Sequence, residues 1–112
     1  MFLRGDSTVS YGTVIAVIGK MKDLQNLRPA ENTLLKHLQP DLGTPQANWA
    51  RNSGVLRREM GKGLPIRDAS VDATGRLVDY PGSFLNAERN LLHDRGWTYD
   101  PGATLWRPPS SP

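Results

Sequence analysis

The chain has no cysteine, which excludes a disulfide framework and a thiolate zinc site and leaves the fold to stand on packing alone. It has no run of about 18 apolar residues, and its opening, MFLRGDSTV, lacks the apolar stretch of a signal peptide. Nothing in it is expected to span a membrane or to direct its own export. Internal repeats are missing, and so are the signatures of several chemistries: no Walker loop, no dinucleotide glycine motif, no HExxH, no HxE with paired cysteines and no G-x-S-x-G elbow. The GKG at 61–63 lacks the rest of a phosphate loop. The Glu-x-Lys half of a metal-nuclease pattern is also missing, because Glu59 and Lys62 are one residue too far apart. Neither a metal nor a cofactor is expected.

What is present fits one modest domain. The 112 residues are 38% hydrophobic and 7% aromatic, enough for a single core. Fourteen Lys plus Arg against eleven Asp plus Glu give a net charge of +3. Arginines dominate that positive charge. The planar guanidinium suits phosphates and stacked bases, so the balance favours nucleic acid over a membrane surface as partner, although +3 also serves solubility alone.

The most informative stretch is 84–106, FLNAERNLLHDRGWTYDPGATLW. Leu85, Leu91 and Leu92, with Ala87, form one apolar helical stripe, and Glu88, Arg89, Asn90 and Asp94 point mostly elsewhere. Ser83 is placed to cap the helix and Arg95-Gly96 to stop it. The period then becomes two: Trp97 and Tyr99 share a face, Asp100-Pro101-Gly102 turns the chain, and Thr104 and Trp106 return. A helix leads directly into a hairpin.

Upstream, residues 1–12 read as a linker or carrier remnant, 13–109 as the folded domain and 110–112 as a tail. TVIAVI at 13–18 is the one continuous β-branched run and predicts a buried central strand. Pro29 predicts a helix start over PAENTLLKHLQ, with His37 beside its apolar face. Thr44-Pro45 repeats the capping signal, and Trp49, Ser53, Leu56 and Met60 share one face of a longer helix ending at Gly61. Residues 64–69 allow a short extended segment, in which Arg67 and Asp68 point to opposite faces. The sum is a single α+β domain with a small, mostly antiparallel sheet and about three helices.

The residue types that remain suit metal-independent cleavage of RNA, in which the 2′-hydroxyl attacks its own phosphate. That reaction needs proton transfer and cations for the developing charge. His93 or His37 supplies the first, with Arg67 and Asp68 as the further catalytic candidates. Arg57, Arg58, Lys62 and Arg89 are candidate phosphate contacts, and Tyr99 or Trp97 is available for base stacking. Each has an ordinary role as well: His93 suits a helix C-terminus, the arginines suit a solvated face, and the tryptophans suit core and hairpin packing.

VIGKMKDL near the start, NWARNSGVLRREMGKGLPIRDAS in the middle and FLNAERNLLHDRGWTYDPGATLWRPP at the end resemble the C-terminal toxin modules of bacterial polymorphic toxins, of the contact-dependent inhibition and Rhs type. The resemblance covers residues 14–109. It implies an antibacterial effector secreted on a larger carrier, delivered to the cytoplasm of target bacteria and neutralised by a cognate immunity protein. Many such modules are nucleases of RNA, transfer RNA included, which matches the ribonuclease reading. Others are DNases, deaminases or ADP-ribosyltransferases, and a non-catalytic nucleic-acid-binding module is the alternative from another class.

Overall fold

The structure, a computed structural model, describes residues 15–25, 27–29, 31–33 and 41–109. The expected linker at 1–12, the tail at 110–112 and His37 lie outside these residues. The class is α+β in one domain. Strands β1 (Ile15–Ile18), β2 (Glu31–Thr33), β3 (Ile66–Asp68), β4 (Thr98–Asp100) and β5 (Leu105–Arg107) form one sheet in the order β2-β1-β3-β5-β4. Helices α1 (Pro45–Met60) and α2 (Phe84–Asp94) and a single 3-10 turn at Met21–Asp23 complete the described elements.

The sheet is mixed, which corrects the mostly antiparallel expectation. β1 pairs in parallel with both β2 and β3, and β5 pairs antiparallel with β3 and β4. A parallel pair needs a long crossover, and α1 lies in the one between β1 and β3. The helix expected from Pro29 is corrected as well, because Glu31–Thr33 is strand. A proline start signal is a weak local preference, and here the parallel ladder to β1 and a buried ion pair on Glu31 outweigh it. The remainder of that expected helix lies outside the described residues, among which two α-helices stand against the expected three.

The two helices start and stop as their residues dictate. Thr44 Oγ1 accepts from the Ala47 amide at 3.1 Å with Pro45 at the first helical position, and Ser83 Oγ accepts from the Asn86 amide at 3.0 Å. Gly96, at φ 86°, takes the left-handed turn that ends α2. Alternation along the strands then sorts the side chains. Ala16, Ile18, Ile66, Asp68 and Trp106 share one sheet face, on which Val55 and Leu56 of α1 and Leu85 and Leu92 of α2 complete the core. Val17, Arg67 and Glu31 share the other.

At the centre of the helix-covered face sits a charge. Asp68 is fully buried and accepts from Arg89 Nε and Nη2, both at 2.8 Å, from Trp106 Nε1 at 3.1 Å and from the Ser70 amide at 3.0 Å. Arg89 also donates to the carbonyls of Val78 and Ser70. The pair is fully wired, so removing one partner strands a buried charge. We expect Asp68→Ala to lose about 3–5 kcal/mol of stability, measured by urea denaturation. An unchanged midpoint would contradict this assignment.

Candidate functional site

The sequence-nominated residues divide into buried ties and exposed groups. Arg67 is buried on the face away from the helices, where Nε and Nη2 grip the Glu31 carboxylate at 2.6 and 2.9 Å. Burial pulls the Glu31 carboxyl upward, and the bonds from Arg67 and from the Arg28 amide overcome it, so its pKa lies below the ordinary value. Arg67 and Asp68 do point to opposite faces, each joined to a partner distant in sequence. Arg89 belongs to the Asp68 tie. Tyr99 is half-buried, tilts against Trp106 at 5.4 Å and donates its hydroxyl to the Gly75 carbonyl. Burial first, and the Asp68 charge second, raise its pKa.

The exposed group is smaller. His93 lies in the last turn of α2 with its side chain 80% exposed, 3.8 Å from the neighbouring Asp94 carboxylate. It lines a depression of about 350 Å³ with Leu77, Asp79, Asn86, Arg89, Asn90 and Trp106. So His93 and Arg89 share a wall, and Arg67 is not part of it. Arg57 and Arg58 are exposed near the end of α1 and make no ion pair among the described residues, whereas exposed Lys62 bonds to Glu59 at 3.0 Å. Trp97 is buried in the core.

A larger cavity, about 590 Å³, opens where α1 and α2 meet beyond the carboxyl end of β1. Gly19, Lys20, Met21 and Leu24 bound one side, Pro45 and Asn52 of α1 a second, and the first turns of α2, from Ser83 to Glu88, a third. Glu88 is the unusual member. Its side chain is 7% exposed, yet it makes no hydrogen bond or ion pair among the described residues. Burial, reinforced by the Asp68 charge and partly countered by Arg89, pushes its pKa up to about 7. Asn52, equally buried, accepts from Arg51 Nε at 3.3 Å and leaves its own amide N–H groups without a partner among the described residues.

No family model, no curated protein and no solved structure matches this chain. The site's chemistry is therefore read from its geometry. Among the described residues no group of three or more His, Asp and Glu gathers to hold a metal ion, and no helix is long and apolar enough to cross a membrane. What the cavity does hold is a carboxyl whose pKa is pushed up to about 7, with a lysine on another side. Such a group is equipped for general acid–base work.

Sequence reasoning missed Glu88 because it was assigned to the polar side of the α2 stripe. The signal available was its place one turn before Leu92 and three residues after Leu85, both buried. Asn52 was missed too, although it stands one residue before Ser53 of the apolar face.

The raised pKa has a consequence for stability. Between pH 4.5 and about 7 the unfolded chain gives up the Glu88 proton while the folded chain keeps it, so stability falls across that window and levels off above it. The size is about 3 kcal/mol. Comparing wild type with Glu88→Gln cancels the other titrating groups. We expect the variant to gain about 3 kcal/mol on wild type between roughly pH 5 and pH 8, read by urea midpoints. Parallel pH profiles would contradict the buried, unpartnered carboxyl.

Proposed function

We propose that this chain is an antibacterial effector module of the polymorphic-toxin type, a metal-independent ribonuclease that acts in the cytoplasm of target bacteria and is neutralised by a cognate immunity protein. The observation that carries the catalytic part is Glu88, a buried carboxyl without a partner among the described residues, lining an open cavity that Lys20 also lines. Native proteins rarely leave such a group unsatisfied unless it has work to do. The resemblance of three sequence segments to toxin modules and the excess of arginine support the choice of RNA.

In this reading the Glu88 carboxylate takes the proton of a ribose 2′-hydroxyl, and the 2′-oxygen attacks the adjacent phosphorus. The bond to the 5′-oxygen breaks, and that oxygen takes a proton from water in the open cavity. The products are a 2′,3′-cyclic phosphate and a 5′-hydroxyl. Lys20 and the amides of Phe84 and Leu85, which have no acceptor among the described residues, offset the charge that builds on the phosphoryl oxygens. Arg57 and Arg58 follow Asn52 by about 8 Å of helix rise, a spacing that suits contacts to flanking phosphates.

Incubated with total RNA and a chelator, the purified protein is expected to yield discrete fragments ending in cyclic phosphate. Glu88→Gln should slow this by about 10²–10⁴-fold, and His93→Ala should leave the rate within the same order. RNA left intact under every metal condition, or full activity in Glu88→Gln, would reject the reading. Arg57 and Arg58, exposed and without an ion pair among the described residues, favour one second reading, a non-catalytic nucleic-acid-binding module. There Glu88→Gln keeps its effect on cells, and reversing the charge of both arginines abolishes a salt-dependent binding.

A further inference from the structure

The apolar part of the same cavity is not needed for proton transfer. Met21, Leu24, Pro45, Phe84 and Leu85 supply it, and Phe84 is one of the few large apolar side chains that the fold leaves exposed, at 42%. A single exposed Phe is ordinary on a protein surface. Phe84, however, lies parallel to Trp49, with ring centroids 6.3 Å apart and planes 8° from coincidence, and it forms part of the cavity wall. Trp49 thus backs the Phe84 ring, holding a flat π-surface at the mouth of a cavity whose volume falls in the range of small-ligand sites. Asn52 lines the same cavity as Phe84 and Glu88, and its amide donors have no partner among the described residues.

We propose that this cavity binds one nucleobase of a single-stranded RNA, stacked on Phe84 and read at an acceptor edge by the Asn52 amide, so that the ribose of that nucleotide is presented to Glu88. The proposal rests on the ribonuclease reading for the identity of the polymer. Stacking on an aromatic face is available to any base, and the Asn52 donors favour bases that offer a carbonyl or ring nitrogen there. Lys20, whose ammonium lies 5.3 Å from the centre of the Tyr80 ring, is the cation of the cavity lining. The aromatic pair selects a flat ring, and Lys20 favours its phosphate.

The test uses a short, fluorescently labelled single-stranded oligonucleotide with 2′-fluoro sugars, which cannot be cleaved through the 2′-oxygen, and a matched oligonucleotide with one abasic position. Wild type should bind the intact probe about tenfold more tightly than Phe84→Ala does, and Phe84→Tyr should restore binding. The abasic probe should weaken binding to wild type and not to Phe84→Ala. Because Phe84 is substantially exposed, the variant is expected to fold, which its thermal melt checks. Equal affinity of wild type and Phe84→Ala, or of the intact and abasic probes, would overturn the proposal. Cleavage of total RNA by wild type is scored separately: cleavage with unchanged Phe84→Ala binding rejects the base slot alone, and base-dependent binding without cleavage rejects the ribonuclease alone.

Discussion

The bidentate bond between Arg89 and Asp68 is the constraint on which the rest of the molecule depends. It fixes the middle of α2 to the central strand β3, and through Trp106 and the Ser70 and Val78 carbonyls it gathers the hairpin and the loop before α2 at one point. A buried charge without this wiring is strongly unfavourable, so the geometry of the contact is narrow. Ser70 extends it: its hydroxyl accepts from the Lys20 amide at 2.8 Å and donates to Asp23 at 2.7 Å. The segment that carries Lys20 into the cavity is thereby tied to the same centre.

The cavity gains its character from that arrangement. Arg89 holds Asp68, and its neighbour Glu88 has no cation paired to it among the described residues, so the two buried carboxyl groups meet opposite fates. One carboxylate is fully satisfied; the other is desolvated and close to a second negative charge. Environment, more than residue type, separates a structural acid from a reactive one. The same principle explains the nominated arginines. Arg67 and Arg89 are committed to Glu31 and Asp68, which leaves Arg57 and Arg58 as the exposed members of the set.

Much of the fold was legible where local chemistry determines it. Capping by Thr44 and Ser83, the stop at Gly96, the buried strand after residue 13 and the hairpin from Trp97 to Trp106 all follow from short-range preferences that packing reinforces. Strand β2 was not legible, because its stability comes from β1 and from Arg67, 36 residues away from Glu31. Nor did local pattern say that the sheet would be half parallel, since strand order is set by where crossovers pack. For the site, the arginines and carboxylates were visible as types. Their pairing was not, and pairing decides which of them can react. Glu88 stayed hidden because a charged residue next to an apolar stripe reads as solvated until the second helix is known to cover it.

The contacts around the sheet also differ in how much chain they enclose. The hairpin closes over a short distance, as in the Asp100–Arg107 contact seven residues apart, whereas the Asp68–Trp106 contact spans 38 residues and the Lys20–Ser70 contact 50. The entropy of closing a loop rises slowly with such separations, so the hairpin is the least costly of these contacts to form. Lys20 and Gly19 arrive with β1, so one wall of the cavity is missing until that strand docks. The contact that seats the Lys20 amide on Ser70 thus holds β1's share of the core and of the cavity wall together.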